Sequence, residues 1–234
     1  MEFANRTVVI TGAAGNLGRA VAAAFAARGA NLVLIDRSDE LLRKAYPDDE
    51  PRRLFAAVDL LDAAQTQAAI ARAAERFGRI DVLANLAGGF RMGEAVHETT
   101  DATWNFLLDI NVRTLLNTVR AVVPQMLAAG GGKIVNVGAA SALKGAALMG
   151  AYVAAKSAVI RLTETMALEL REKNVNVNCV LPTIIDTPEN RVAMPDADPA
   201  RWVAPEDLAS VIVFLASDAA RAIHGAAVPV AGLS

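Results

Sequence analysis

The run Thr7-Val8-Val9-Ile10-Thr11-Gly12-Ala13-Ala14-Gly15-Asn16-Leu17-Gly18 decides the fold of this chain. Its first four residues are β-branched, as suits a short buried strand. Three glycines follow, and residues 19–28 then have helical composition up to Gly29, where a helix should stop. In that context glycines let the backbone turn tightly, approach a pyrophosphate closely and pack the helix on the sheet, while the free N–H groups of the helix start attract phosphate. The spacing is wider than G-x-G-x-x-G, with Gly12 and Gly18 six apart. A tight βα turn that binds nothing is the alternative.

Outward from this unit the pattern repeats. Short β-branched runs at 31–35, 54–58, 81–85, 133–137, 175–181 and 226–230 alternate with longer alanine-rich segments. Such alternation predicts βαβ units with right-handed crossovers. Several runs are apolar at successive positions, as expected of strands covered on both faces. The fold class is therefore α/β: a doubly wound Rossmann fold with a seven-stranded parallel sheet, helices on both faces, and one domain over residues 1–234. Helix ends are legible as well. Asp62 with Gln65 resembles a capping box, Gly78 suits a helix stop and Pro205 a first turn. Residues 182–204 hold four prolines and little periodicity, which predicts an irregular loop that covers a site or is mobile.

Composition narrows the partners. Hydrophobic residues make up 54% of the 234 and charged residues 21%, enough for a substantial core and too apolar for disorder. A net charge of −2 without any Lys/Arg run argues against a nucleic-acid partner. No uncharged stretch approaches the roughly 18 residues needed to span a bilayer. The first strand begins within ten residues of Met1, so no leader is expected and the chain is placed in the cytoplasm with no membrane partner. The single cysteine, Cys179, lies in a strand-like run and is expected to be an inert core thiol. His97 and His224, the only histidines, have no ligand set around them and are expected at the surface or at caps, with no metal bound.

Asp36 stands at the end of the second strand, eighteen residues beyond Gly18. A carboxylate there accepts hydrogen bonds from an adenosine ribose and repels a 2′-phosphate, so NAD is favoured, with NADP possible because Arg37 is adjacent. Asp59 could accept from an adenine amino group or cap the helix that follows it. Farther along, Tyr152-Val153-Ala154-Ala155-Lys156 places a phenol and an ammonium four residues apart, on one face of a helix. A nearby positive charge lowers a tyrosine pKa from about 10 and equips the phenol to trade protons. A half-buried aromatic beside a solvated lysine is the plainer alternative.

Taken together these residues resemble the short-chain dehydrogenase/reductase family over essentially the whole chain. The matching landmarks are residues 11–18, Asp59, Asn85-Leu86-Ala87-Gly88, Asn111, the Tyr152/Lys156 pair, and Pro182 with Thr187. The resemblance implies an NAD(P)-dependent enzyme that moves a hydride between nicotinamide and a hydroxyl/carbonyl pair of a small organic substrate. Tyr152 would be the acid/base, Lys156 would hold the nicotinamide ribose and lower the tyrosine pKa, and Asn111 would support a proton-relay water. The cofactor would lie against Gly12, Gly15, Asn16, Leu17, Gly18, Asp36, Asp59, Asn85, Ala87, Gly88, Lys156, Pro182, Ile185 and Thr187, the last meeting the carboxamide. Homodimers or homotetramers are implied, and the apolar segments 111–127 and 154–170 are long enough for helices that pair between subunits.

Departures from the family pattern matter too. The position thirteen before Tyr152, usually a serine that orients the substrate oxygen, is Ala139. Loss of such a donor typically costs about 2–4 kcal/mol of transition-state stabilisation. Ser141 could replace it only if the backbone bulges. Asn16 stands where the family has its middle glycine, and Thr183 where a glycine follows Pro182. The stretch Leu181-Pro182, Asp186-Thr187-Pro188, Asn190-Arg191, Met194-Pro195, Ala197-Asp198 and Trp202 resembles quinonoid dihydropteridine reductases, which also lack the serine. That resemblance implies a cyclic imine-like substrate as the second reading. A nucleotide-binding sensor or scaffold with little turnover is the third. Trp202 and Phe90 fall in segments that should border a cleft at the strand ends, though simple packing explains them equally, while Arg91 suits either an anionic substrate group or solvent. Leu148 and Met149, with Ile184 opposite, would form an apolar wall.

Overall fold

All seven expected strands form, as β1 (Thr7–Thr11), β2 (Asn31–Asp36), β3 (Arg53–Ala57), β4 (Val82–Asn85), β5 (Gly132–Val137), β6 (Val175–Pro182) and β7 (Ala227–Val230). In the computed structural model, which describes residues 2–48 and 50–234, they make one sheet in the order β3-β2-β1-β4-β5-β6-β7. Every neighbouring pair is parallel. Successive side chains in a strand point to opposite faces, and the core divides accordingly. Val9, Val33, Leu83, Ile134 and Val177 pack on one face against α3 (Ala63–Phe77), α5 (Thr114–Ala128) and α6 (Gly150–Leu170). Val8, Ile10, Leu32, Leu34, Val82 and Val180 pack on the other against α1 (Asn16–Ala26), α2 (Asp39–Ala45) and α8 (Pro205–Leu215). Each fully buried aliphatic side chain of this kind contributes roughly 1.5–3 kcal/mol.

Helix ends follow the local chemistry. Gly78 closes α3 in the left-handed conformation (φ 81°), and Pro205 opens α8. Asp62 caps α3 by accepting from the amides of Ala64 and Gln65. The capping box is incomplete: Gln65 Nε2 donates to the Asp62 carboxylate, while the Asp62 amide, which a capping box would have Gln65 accept from, donates to the Asp59 carbonyl. α1 begins earlier than its composition predicts, at Asn16 rather than Arg19, because Gly15 serves as its N-cap.

The expectation of an irregular loop over 182–204 is corrected. The segment contains α7 (Pro188–Ala193), capped by Thr187, and a 3₁₀ turn Pro199–Arg201, capped by Asp198. Two of its prolines open these helical turns, where a missing N–H costs nothing. An Ile185↔Val203 bridge ties the ends of the segment together. The remaining helix, α4 (Asp101–Leu108), runs into a π-helical turn, Asp109–Arg113, before α5 starts. No helix among the described residues is long and apolar enough to cross a membrane.

Candidate active site

Strand order reverses between β1 and β4, so the crossovers on their two sides diverge and leave a crevice at the carboxyl ends of these strands. A cleft of about 720 Å³ opens there. Its lining includes Gly12, Gly15, Asn16, Leu17, Gly18, Asp36, Asp59, Ala87, Gly88, Ile185 and Thr187, all anticipated above, together with Arg37. The backbone shapes this bank. Gly12 has φ +64°, and a methyl on it would lie 3.2 Å from Ala87 Cα. One on Gly18 would run into the Gly12 carbonyl and stand 2.7 Å from Ala13 Cα. Gly15 brings no side chain to the start of α1, whose first amides are left to a ligand. These features fit a nucleotide pyrophosphate.

Neighbouring side chains hold the glycine turn. Asp36 Oδ2 accepts from the Ala14 amide at 2.9 Å and Oδ1 from the Arg37 amide at 2.8 Å, so the acid both tethers the turn and faces the cleft. Thr11 Oγ1 accepts from the amides of Leu86 and Ala87, each at 3.0 Å, and donates to Asn85 Oδ1. Tyr46 is a support that sequence reasoning missed: its hydroxyl donates to the Ala13 carbonyl at 2.7 Å. Asn16 Nδ2 reaches Glu189 at 2.9 Å and so links the turn to α7. The alternative role for Asp59 falls away, since Asp62 is the cap of α3; Asp59 Oδ1 accepts from the Leu61 amide. Asn85 and Pro182 do not reach the cleft. Both are buried, and Asn85 spends its amide on Thr11 and Asn136.

The opposite bank, residues 86–89 with Phe106, Asp109, Ile110 and Thr114, is backed by buried polar side chains. The π-helical turn holds Asn111 inward: its Nδ2 donates to the carbonyls of Gly89 and Leu107, both at 3.0 Å, and its Oδ1 accepts from the Gly89 amide at 3.2 Å. Single π turns of this kind recur at functional sites. Lys156 crosses from α6 to donate to the Val137 carbonyl at 2.9 Å. Gly88 marks where the two meet, since a methyl there would lie 2.9 Å from Asn111 Oδ1 and 3.2 Å from Lys156 Nζ. One turn before Lys156, Tyr152 lines a smaller cavity of about 140 Å³, which it shares with Leu148 and Met149. The Phe90 ring meets the Tyr152 ring edge-on at 4.8 Å.

Electrostatics differs from the expectation. Burial pushes the Tyr152 phenol up to about 12, and Lys156 adds no lowering. Burial also pushes the Lys156 ammonium down to about 8. Desolvation disfavours the charged form of each group, and the lysine is committed to a carbonyl. The expected acidification of the phenol by its neighbour is therefore not found. Ser141 is not brought in either. It lies in a 3₁₀ turn, Ala140–Leu143, instead of a bulge, and lines neither cavity; Ala139 is buried. Trp202 is buried and Ile184 lines neither cavity, so of the anticipated apolar wall only Leu148 and Met149 are in place. Cys179 is fully buried with its thiol pushed up to about 11, an inert state. His97 is exposed, and the described residues contain no group of three metal-ligating side chains.

A model of the family described as short chain dehydrogenase matches residues 6–198. The chain belongs to the short-chain dehydrogenase family. It is accordingly an oxidoreductase. D-threitol dehydrogenase of Mycolicibacterium smegmatis is 35% identical to this short-chain dehydrogenase, the match covering 94% of the chain and 89% of the relative. Cis-4-hydroxycyclohexanecarboxylate dehydrogenase of Sinomonas cyclohexanicum is likewise 35% identical, over 98% of the chain and 96% of the relative. Among solved structures, carveol dehydrogenase from Mycobacterium avium in complex with NAD superposes with a TM-score of 0.90 at 29% identity, covering 99% of this chain and 98% of that one.

Proposed function

We propose that residues 1–234 form one NAD(H)-preferring short-chain dehydrogenase domain that interconverts a hydroxyl and a carbonyl on a small organic molecule. The observation that carries this reading is the convergence of Asn111 Oδ1 and Lys156 Nζ on Gly88, at the edge of the cleft that begins at the glycine turn. NAD is supported by Asp36 on the cleft wall, by the NAD complex of the carveol dehydrogenase and by a 30% identical NAD-dependent glycerol dehydrogenase of Listeria innocua. Arg37 beside it leaves NADP a usable partner. When bound, the nicotinamide supplies the hydride acceptor or donor. The chain handles the proton. The Tyr152 phenol gives it to the carbonyl oxygen in reduction, becoming phenolate, and as phenolate takes it from the hydroxyl in oxidation. Lys156, anchored on Val137, holds the ribose side of the site, and Asn111 holds the 88–89 backbone and a relay water. Thr187, which caps α7, meets the carboxamide end. Cytoplasmic location and a homodimer or homotetramer belong to the same reading; exposed Trp104 and Leu168 offer apolar surface for subunit contact.

A second reading rests on Ala139. With no hydroxyl at that position and Ser141 outside both cavities, a quinonoid pterin ring, which needs less polarisation of a carbonyl oxygen, would suit the site. The test is NADH oxidation by the purified chain and by Tyr152→Phe, across ketones and a quinonoid pterin. The expected outcome is ketone turnover that Tyr152→Phe lowers by about 10²–10⁴-fold while NADH affinity is kept. Activity on the pterin alone would transfer the assignment to the second reading. Tight NADH binding with no turnover would make the protein a sensor.

A further inference from the structure

The smaller cavity carries more information than the position of Tyr152. Its walls include one guanidinium, Arg91, and one carboxylate, Glu94, and the two are in opposite states. Both oxygens of Glu94 are occupied: Oε1 accepts from Thr103 Oγ1 at 2.8 Å and Oε2 from the Thr100 amide at 3.1 Å. Thr100 is the N-cap of α4, so this negative charge is held by a helix start. Arg91 makes no ion pair or hydrogen bond among the described residues. Its guanidinium carbon lies over the Phe106 ring, 3.9 Å from the centroid. A guanidinium held over a ring face by cation–π attraction leaves its N–H donors for a ligand. Phe106 lines the larger cleft and Arg91 the smaller cavity, so the pair stands where the two meet. The segments bearing Arg91 and Tyr152 are also fastened together. The Gly93 amide donates to the Leu148 carbonyl at 2.8 Å, and Leu148 is held at φ +60°, a strained setting for a bulky residue.

From this arrangement we infer that Arg91 is a specificity residue and that the substrate is a hydroxy or keto acid. Its carboxylate pairs with the Arg91 fork, and its reacting carbon lies by Tyr152. A single carboxylate matches the fork bidentately, whereas a doubly charged phosphate would bring a second negative charge into a cavity that already holds Glu94. Apolar Leu148 and Met149 suit a carbon ring or chain between the two ends. The inference rests on the dehydrogenase reading above, and binding separates the two.

Cyclohexanecarboxylate and its neutral amide would be titrated calorimetrically against the wild-type chain, Arg91→Met and Arg91→Lys, with and without NADH. The acid is expected to bind wild type roughly ten- to hundredfold tighter than the amide, the usual range for a charge-assisted pair. In Arg91→Met that ratio should fall to within about threefold, and Arg91→Lys, a point charge without the fork, should restore part of it. Equal affinities for wild type, no detectable binding of the acid, or an acid preference that survives Arg91→Met would each overturn the inference. Turnover is then compared for 4-oxocyclohexanecarboxylate and 4-methylcyclohexanone. Equal kcat/KM for the two would sink the acid assignment and leave the dehydrogenase reading standing. Acid-selective binding without turnover of either would do the reverse.

Discussion

The two banks of the cleft are built from different materials. Toward β1 and β2 the wall is mostly main chain: Gly12, Gly15 and Gly18 bring backbone amides to the ligand, and the residues that do so are adjacent in sequence. Toward β4 and the π turn it is residues 86–89 with Phe106, Asp109, Ile110 and Thr114, backed by the buried polar side chains Asn111 and Lys156, which meet at Gly88 although they come from separate segments. A wall of backbone is rigid and specified by excluded volume, so it fails when a Cβ is added. A wall of buried polar groups is specified by hydrogen bonds and desolvation, so its charge state is set by burial and responds to pH.

The largest expected effect breaks the backbone wall. In Gly18→Ala the new methyl has no direction to move in, since it meets the Gly12 carbonyl and Ala13 Cα, both main-chain atoms. Overpacking against side chains costs about 1–3 kcal/mol, and a main-chain clash should exceed the upper figure. Urea unfolding should show a loss of about 3 kcal/mol or more, and NADH fluorescence titration should show binding abolished. Wild-type stability and affinity would mean that excluded volume does not shape this bank.

A smaller effect sharpens the side-chain wall. Lys156 falls from its usual value near 10.4 to about 8 in the folded chain. Below pH 8 both states hold the proton, and the full cost of burying the charge is present. Between about pH 8 and 10 the unfolded chain still binds a proton that the folded chain has released, so this group adds stability as pH rises. Lys156→Met removes that contribution. The difference in unfolding free energy between the variant and wild type should therefore narrow by about 2 kcal/mol from pH 8 to pH 10, at about 1.4 kcal/mol per pKa unit. Measuring the difference cancels the opposing titration of Tyr152, whose raised value makes the fold lose stability toward higher pH; Cys179, whose pKa the Lys156 charge lowers, is removed by making both measurements in a Cys179→Ala background. A constant gap would show that Lys156 is not desolvated.

The smallest effect lies where the two kinds of wall meet in one residue. Asp36 tethers the glycine turn through the Ala14 amide and faces the cleft with its charge. Asp36→Asn keeps an oxygen for Ala14, gives up the bond from the exposed Arg37 amide and removes the charge. The ratio of NADH to NADPH affinity should fall about tenfold, close to 1.4 kcal/mol, with little change in the unfolding midpoint. An unchanged ratio would move selectivity to Arg37.

The strands, the glycine turn and the caps at Asp62, Gly78 and Pro205 were legible because each rests on contacts within a few residues or on local apolar patterning. Residues 182–204 were misread for a related reason. Pro188 and Pro199 look like breakers in isolation, yet each opens a helical turn, with Thr187 and Asp198 as caps. The π turn that aims Asn111 has no residue pattern of its own, and nothing near Ser141 announces that the chain enters a 3₁₀ turn there. Tyr46 was invisible because its partner, the Ala13 carbonyl, belongs to a different βα unit.

The chain's own order of residues settled the doubly wound architecture, the glycine turn after β1 and the acid after β2, since β-branched runs, missing Cβ atoms and a charge at a strand end act over short range. Tertiary packing alone decided that Asn85 supports instead of lining the cleft, that Asn111 and Lys156 meet at Gly88, and that Arg91 lies unpaired over Phe106 beside the phenol. It also decided the protonation of Tyr152 and Lys156, because desolvation depends on what the rest of the molecule places around a group.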